Sequence, residues 1–339
     1  MTNPVVVEVT RGAVVESRHR GAIFVLDADG KTVWEIGDTD RPVFPRSAVK
    51  AIQALPLVES GAADAYGFGN RELALACASH SGEPAHVELA AAMLAKAGLD
   101  KTALECGAHW PSNHAAEIAL ARAGGVPNAL HNNCSGKHSG FLCTCVHAGI
   151  AHAGYVKAGH AQQEMVRDAM QSVTGAAHGV DNSGIDGCSI PTYAVPLKSF
   201  AQGFARMATG RGFSPERARA AKRLLTACMA EPFLVSGTGK ADVALMQAAP
   251  GRIFVKTGAE GVYCAALPEL GLGIALKCDD GAGRAAEVMI AAVLAKLLRG
   301  DEAVAAKLSE LAHPAVESRI GAKVGLLRPT AALNERSAL

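Results

Sequence analysis

Strand-forming segments lie at the two ends of this 339-residue chain, and a long alanine-rich stretch separates them. Near the start, β-branched runs occupy residues 5–10, 12–17 and 21–26, and a turn ending in Asp29-Gly30 connects the last of these to residues 32–36. Strand patterns return at 252–257, 261–266 and 272–277. This arrangement predicts one antiparallel sheet built from both ends of the chain.

The middle of the chain is predicted to be helical, with helices at residues 85–97, 117–123, 162–173 and 215–229. A further helix over residues 283–298 is expected to cover one face of the sheet. This layout predicts an α/β (α+β) protein with the serine β-lactamase-like fold. We expect a single domain over residues 1–339, with a sheet part at about 1–45 and 235–300 and a helical and loop lobe at about 46–234. Residues 321–339 show little periodicity and are predicted to fray.

Composition narrows the possible partners and the cellular compartment. Lys and Arg number 33 against 32 Asp and Glu, giving a formal net charge of +1, and no basic run occurs. Nucleic acid and membrane surfaces are therefore poor partner predictions. The absence of a signal peptide and of an eighteen-residue apolar run predicts a soluble, cytoplasmic protein. In that setting the nine cysteines are expected to be reduced thiols rather than a disulfide framework.

Two short motifs suggest nucleophilic catalysis. Ser47-Ala48-Val49-Lys50 occurs early, and Lys256-Thr257-Gly258 occurs more than two hundred residues later. This order is found in penicillin-interacting serine enzymes, in which a lysine takes the proton of a nucleophilic serine. Pro45 favours a helix start, and residues three apart share a helix face, so Ser47 Oγ and Lys50 Nζ could meet. The alternative is a helix-capping serine beside a solvated lysine.

The full pattern of the penicillin-interacting enzymes is not present. Their middle motif, Ser-Asp-Asn, does not occur in the sequence, which argues against a β-lactamase or transpeptidase. Ser79 could supply the second hydroxyl, paired with Lys256, or could be an ordinary turn residue. Backbone N–H groups at Ser47 and Ala259 are candidate oxyanion donors. Another Ser-x-x-Lys amidase or esterase remains an alternative.

A polar cysteine-containing segment, residues 131–140, suggests a metal site. Cys134 and Cys188, with one of Lys137, His138 or Asp186, would give zinc three ligands and leave a position for water. The spacing matches no structural zinc motif, so a substrate-binding loop with buried free thiols is the alternative. A non-catalytic zinc or thiol sensor is the remaining rival, although it leaves Ser47, Lys50 and Lys256 unexplained.

Five segments taken together resemble one enzyme family. They are residues 45–50, 77–83, 131–138, 186–191 and 256–261, and the resemblance extends from about residue 6 to residue 298. The chain resembles the Rhizobium etli-type (class 3) L-asparaginases, and within that class it is most similar to the constitutive, thermostable isoform. The resemblance implies a homodimeric enzyme that hydrolyses L-asparagine to L-aspartate and ammonia.

The resemblance also implies residue roles. The catalytic tandems would be Ser47 with Lys50 and Ser79 with Lys256, with Ser47 as the nucleophile. Zinc near the substrate would be held by Cys134, Lys137 and Cys188. The implied substrate contacts are Arg46, Cys134, Lys137, Asp186 and Ala259. Asp186 suits the α-ammonium group of the substrate, and Arg46 or Lys137 could bind its α-carboxylate.

Overall fold

The structure is a computed structural model, and it describes residues 2–334 of the chain. Its main sheet has eight strands, with the order β11-β12-β1-β2-β10-β9-β8 and with β3 paired to β2. Every pairing in this sheet is antiparallel. The strands are β1 Val5–Arg11, β2 Val14–Asp27, β3 Thr32–Ile36, β8 Phe254–Gly258, β9 Val262–Leu267, β10 Leu272–Cys278, β11 Ala315–Glu317 and β12 Lys323–Pro329.

Two small sheets complete the strands. They consist of β4 (Pro42–Val43) paired with β7 (Val195–Pro196), and of β5 (Ser183–Ile185) paired with β6 (Pro191–Tyr193).

The main sheet confirms the predicted antiparallel sheet built from both chain ends. Residues 14–17 and 21–26 belong to the single long strand β2, and residues 12–13 form the turn before it. Strand β12 pairs with β1, so the expectation that residues 321–339 fray is wrong for 323–329. Residues 335–339 lie outside the described residues.

Helices make up most of the remaining chain. They are α1 Lys50–Gln53, α2 Leu55–Glu59, α3 Ala62–Ala65, α4 Asn70–Ala76, α5 Pro84–Lys96, α6 His114–Arg122, α7 Ser135–His147, α8 Ala161–Thr174, α9 Leu197–Thr209, α10 Pro215–Ala230, α11 Pro232–Ser236, α12 Ala241–Ala248, α13 Gly283–Leu297, α14 Glu302–Leu311 and α15 Ala331–Asn334. All five predicted helices are present. Sequence periodicity missed α7 and α9, among others. Within residues 2–334, every helix is too short or too polar to span a bilayer.

Helices cover both faces of the sheet. A Cβ on Gly273 of β10 would lie 2.0 Å from the carbonyl oxygen of Ala201 in α9, so the absent side chain lets α9 approach closely. A Cβ on Gly21 would lie 2.7 Å from Cε of Met289 in α13. Gly21 pairs with Cys278, five residues from Gly273. Because side chains alternate along a strand, α9 and α13 lie on opposite faces, and strands β9 and β10 are almost wholly buried as a result.

Candidate active site

Ser47 lies on a tight turn between the sheet and the helical lobe. Residues Arg46–Val49 form a 3₁₀ turn, and α1 begins only at Lys50. Arg46 has φ +50°, a left-handed value that is costly for a residue with a side chain. The α-helix therefore begins three residues after Ser47, and Ser47 itself lies on the 3₁₀ turn that precedes it.

The buried Lys50 contacts Ser79 instead of Ser47. Its Nζ lies 2.9 Å from Ser79 Oγ, 2.5 Å from the carbonyl oxygen of Ala78 and 3.1 Å from Cys134 Sγ. The Lys50 side chain is fully inaccessible to solvent. A buried ammonium is stable only when acceptors or counter-charges surround it, and Lys50 has one acceptor for each of its three hydrogens.

Ser79 is held between two helices of the lobe. It follows α4, and its backbone N–H donates to the carbonyl oxygen of Val235 in α11 at 2.9 Å. The next N–H, of His80, donates to the carbonyl oxygen of Asn133 at 3.1 Å. Within residues 2–334, no side-chain hydrogen bond joins Ser47 to Lys50 or Ser79 to Lys256, although the backbone N–H of Lys50 donates to the carbonyl oxygen of Ser47. The two expected tandems therefore appear as one direct pair, Ser79 with Lys50.

Strand β8 carries Lys256 to the turn that contains Ser47. A Cβ on Gly258 would lie 2.4 Å from the carbonyl oxygen of Pro45 and 3.1 Å from the backbone nitrogen of Ala48. Only glycine allows the strand to pack so closely on this turn. Lys256 is fully buried, and its Nζ donates to the carbonyl oxygen of Thr257 at 3.0 Å. Burial, with the added effect of Lys50, lowers the pKa of Lys256 to about 8 although Asp242 opposes the shift.

Asp242 is the counter-charge of Lys256. Its Oδ2 lies 3.8 Å from Lys256 Nζ and accepts hydrogen bonds from Ser236 Oγ at 3.0 Å and from the backbone nitrogen of Thr257 at 3.1 Å. The carboxylate is buried, and its Oδ1 has no hydrogen-bond partner among the described residues. Asp242 lies in the first turn of α12.

A cavity of about 330 Å³ lies between the Ser47 turn, Ser79 and strand β8. Ser47, Ser79 and Ala259 line it, as do Thr257 and Gly258 of the second motif. Its other lining residues are His80, His109, Ser112, Asn133, Ser236, Lys240, Ala241, Asp242, Tyr263 and Glu287. A larger groove of about 540 Å³ shares Lys240, Ala241 and Glu287 with this cavity and contains none of the expected catalytic residues.

The predicted metal ligands form a second buried group beside the first. Lys137 Nζ lies 3.1 Å from Cys188 Sγ, and the Cys188 thiol donates a hydrogen bond to Cys134. Lys50 connects this group to Ser79 through its contact with Cys134. His138, an alternative ligand by sequence, contacts the hydroxyl of Tyr155 at 2.6 Å through its Nδ1. The structure therefore brings together Cys134, Lys137 and Cys188.

Two lysines hold negative charge on this thiol pair. The hydrogen bond from Cys188, together with Lys50 and Lys137, lowers the pKa of Cys134 well below its usual value despite burial. The same hydrogen bond and burial raise the pKa of Cys188. Burial acts to lower the pKa of Lys137, but Cys188, Cys134 and Asp186 outweigh it and raise the pKa. All nine cysteines are free and buried, as predicted.

The chemistry of this donor set fits zinc. Two sulfur atoms and an amine nitrogen converge in a buried position, and thiolates are among the ligands zinc prefers. One sulfur is already stabilised as a thiolate, which is the form that binds metal.

Asp186 and Arg46 form an ion pair at the edge of the thiol group. Arg46 Nε lies 2.5 Å from Asp186 Oδ1, and Asp186 Oδ2 lies 3.5 Å from Cys188 Sγ. Burial acts to raise the pKa of Asp186, but Lys137 and Arg46 lower it below its usual value, so Asp186 is a carboxylate. The side chain of Asp186 is 10% exposed and that of Arg46 is 28% exposed, so a small ligand can reach both.

Backbone strain is concentrated around the expected site residues. Among the described non-glycine residues, three have left-handed φ angles: Arg46 at +50°, Ser189 at +75° and Glu260 at +62°. They directly adjoin Ser47, Cys188 and Ala259. Such conformations cost free energy and cluster at functional sites. The strain therefore agrees with the placement of Ser47, Cys188 and Ala259 in one functional region.

A different group of residues could also hold a metal ion. Among residues 2–334, potential ligand atoms of His19, Cys278 and Asp280 lie within 4.8 Å of one another. His19 Nδ1 is 2.7 Å from one oxygen of Asp280, and Cys278 Sγ is 3.0 Å from the other. Asp280 also accepts from the backbone nitrogen of Ala282 before α13, so these contacts have a structural explanation. None of the three residues lines the cavity, and neither do Cys134, Lys137 and Cys188, but Cys134 is connected to the cavity-lining Ser79 through Lys50.

Sequence reasoning missed several residues of the cavity wall. Asp242, Tyr263 and Glu287 come from α12, β9 and α13 and belong to no motif. The signal for Asp242 was its place just after residues 236–239, a glycine-containing turn that could line a cleft. Tyr263 and Glu287 carry no comparable local signal.

Comparisons with known proteins identify the family. A solved structure titled "Crystal Structure Analysis of Mglu" is 16% identical, over 89% of this chain and 72% of that chain, with a TM-score of 0.38. That score is too low to support a statement about the fold. No curated protein matches the chain. The family model described as L-asparaginase II matches residues 7–329. The chain therefore belongs to the L-asparaginase II family, whose members are enzymes that hydrolyse asparagine.

Proposed function

We propose that this asparaginase is of the Rhizobium etli type, that it has the serine β-lactamase-like fold in a single domain, and that it hydrolyses L-asparagine by serine–lysine catalysis. The observation that carries the proposal is the cavity lined by Ser47 and Ser79, with Lys50 and Lys256 buried beside it. Amide hydrolysis needs an activated hydroxyl, and a lysine whose pKa lies near neutral pH is a suitable base. Burial lowers the pKa of Lys256 to about 8.

In this proposal Ser47 Oγ attacks the side-chain amide carbon of asparagine. The serine proton passes to the neutral amine of Lys256. Backbone N–H groups of Ser47 and Ala259 stabilise the oxyanion. The C–N bond then breaks, the nitrogen takes the proton and leaves as ammonia, and water hydrolyses the acyl-enzyme to aspartate. The strained turn at Arg46 holds Ser47 at the cavity surface.

Asp186 is proposed to bind the α-ammonium group of the substrate, and Arg46 or Lys137 its α-carboxylate. The geometry of the site supports this assignment, because Asp186 is a partly accessible carboxylate next to the thiol group. Cys134 and Ala259 are proposed as further substrate contacts. Each charged group of a small zwitterionic substrate would then meet an opposite charge.

Zinc is proposed as the metal of this site, held by Cys134, Lys137 and Cys188. When bound, it would supply positive charge that favours substrate binding. The residues of the chain need not change position greatly for this, because the two sulfurs are hydrogen-bonded and Lys137 is 3.1 Å from Cys188.

Ammonia release from L-asparagine tests the proposal, with Ser47→Ala and Ser79→Ala measured beside the wild type. We expect strong release by the wild type, and loss of turnover in Ser47→Ala while its fold, followed by circular dichroism, is kept. Release by Ser47→Ala but not by Ser79→Ala would move the nucleophile to Ser79. Hydrolysis of a chromogenic β-lactam instead of asparagine would refute the proposed substrate. Size-exclusion chromatography with light scattering tests the homodimer that the resemblance implies.

A further inference from the structure

The carboxylate of Asp242 forms an ion pair with Lys256. Its Oδ2 lies 3.8 Å from Lys256 Nζ, and the two side chains are 1% and 0% exposed. An ion pair so completely removed from water is little screened by salt, and each partner strongly affects the charge of the other. No residue motif of the chain includes Asp242.

Neighbouring elements fix the orientation of this carboxylate. Ser236, at the end of α11, donates to Oδ2, and so does the backbone nitrogen of Thr257, the residue next to Lys256. These two donors hold Oδ2 on the side of strand β8. The hydrogen bond to Thr257 also connects α12 directly to the motif that contains Lys256.

The other charged and titratable groups around the pair do not replace Asp242. Those that act on Lys256 are Lys50 from α1, Cys134 from the start of α7 and Cys228 from α10. Tyr263 from β9 and Glu287 from α13 interact with Asp242, and Lys240 acts on Glu287. Lys50 repels the charge of Lys256, and Cys134 also has Lys50 and Lys137 as neighbouring cations. Asp242 is therefore the principal group that stabilises the ammonium form of Lys256.

We propose that Asp242 is a positioning residue that sets the protonation equilibrium of Lys256 and thereby the pH at which the enzyme becomes active. The inference rests on the proposed function, in which Lys256 exchanges a proton during catalysis. Without Asp242, Lys256 would remain neutral to lower pH. With it, the lysine can both accept the serine proton and return it to the departing nitrogen near neutral pH.

The experiment is a pH profile of kcat/KM for wild type and Asp242→Asn, with Asp64→Asn as a control. Asparagine keeps the shape of the side chain and an acceptor for Ser236 but removes the charge. In the wild type, the rise of kcat/KM with pH is assigned to deprotonation of Lys256. We expect the midpoint of this rising limb to shift to lower pH by about 1–3 pH units in Asp242→Asn, which is the usual effect of removing an adjacent opposite charge. Asp64 is an exposed carboxylate paired with Arg223, and its variant should keep the wild-type limb.

Two further variants separate charge from structure. Asp242→Glu keeps the charge, so the midpoint of its rising kcat/KM limb should lie near the wild-type pH. Ser236→Ala removes a hydrogen bond to Asp242 without changing any charge, so its limb should not move down. A downward shift in Ser236→Ala equal to that in Asp242→Asn would show a merely structural role and overturn the proposal. If Asp242→Asn does not fold, Asp242→Ser, which also removes the charge, replaces it in the comparison with Asp242→Glu and Ser236→Ala.

A measurement independent of turnover completes the test. The Lys256 resonance in ¹³C-lysine-labelled protein, assigned by its loss in Lys256→Arg, is titrated in wild type and Asp242→Asn. A lower pKa in the variant supports the inference, and an unchanged pKa overturns it. The pKa read from the Lys256 resonance could fall as expected while the midpoint of the kcat/KM profile does not change. In that case the proposed catalytic role of Lys256 is refuted, but its electrostatic coupling to Asp242 is supported.

Discussion

Lys50 Nζ lies 2.9 Å from Ser79 Oγ, and the two residues are 29 positions apart in the chain. The same nitrogen lies 3.1 Å from Cys134 Sγ. One buried cation therefore connects the serine that lines the cavity to the thiol pair that suits zinc. Loss of this cation should affect both groups at once.

Replacement of Lys50 by methionine tests this connection. We expect Lys50→Met to lower kcat for asparagine by about 10²–10⁴-fold, because Ser79 at the cavity wall loses the lysine that it contacts. KM should change less. Lys96→Met is the control, since Lys96 is 41% exposed, pairs with Glu72 and does not line the cavity. A Lys50→Met enzyme with wild-type kcat would refute the role.

The activity should depend on pH through Lys256. The lysine must be neutral to accept a proton, and its pKa is about 8, so it is mostly protonated below that pH. We therefore expect kcat/KM to rise with pH and to level off above about 8. The pH profile of ammonia release, measured in overlapping buffers, checks this. Activity that falls as the pH passes upward through 8 would indicate that Lys256 acts as a cation instead.

Bound zinc should depend on the thiol pair of the site. We expect Cys134→Ser and Cys188→Ser to lose zinc, because a serine hydroxyl is a poor zinc ligand compared with a thiolate. Cys278→Ser is the matched control, since Cys278 is also a buried free thiol but belongs to the group with His19 and Asp280. Metal analysis of dialysed protein gives the stoichiometry. Zinc that is lost only in Cys278→Ser would place the metal at the other group.

Substrate affinity should depend on Asp186. We expect Asp186→Ala to raise KM by about 30-fold or more, equivalent to about 2 kcal/mol, with a smaller loss of kcat. The change removes the proposed partner of the α-ammonium group and leaves Arg46 without its ion pair. Asp181→Ala, at an exposed position of the same segment, should behave as wild type. An unchanged KM in Asp186→Ala would contradict the binding role.

The contact between β8 and the Ser47 turn should not tolerate a side chain. In Gly258→Ala the new Cβ would lie 2.4 Å from the carbonyl oxygen of Pro45, so the strand must move away from the turn. We expect a loss of about 1–3 kcal/mol in the free energy of unfolding and a fall in activity. Gly283→Ala is the control, because its Cβ would meet no atom within 4 Å. Chemical denaturation and ammonia release measure the two effects.

The sequence was sufficient to predict the local structure wherever periodicity and turn chemistry were strong. The hairpin at Asp29-Gly30, strands β8 to β10 and helix α13 all follow from short-range patterns. Helix α7 was missed because residues 131–140 are polar for a buried helix, and Lys137 and His138 are buried there by tertiary partners. Strand β12 was missed because its pairing partner, β1, is more than 300 residues away in the chain.

The sequence by itself determined which reactive residue types the site contains, because Ser47, Lys50, Ser79, Lys256, Cys134 and Cys188 belong to recognisable motifs. Only the tertiary structure decided which of them touch. The Lys50 side chain contacts Ser79 and Cys134, which come from distant parts of the chain, and among the described residues it makes no side-chain hydrogen bond to Ser47. Asp242 enters the site although no motif contains it. Distances between residues far apart in the chain depend on how helices and strands pack, and local patterns carry little information about that packing.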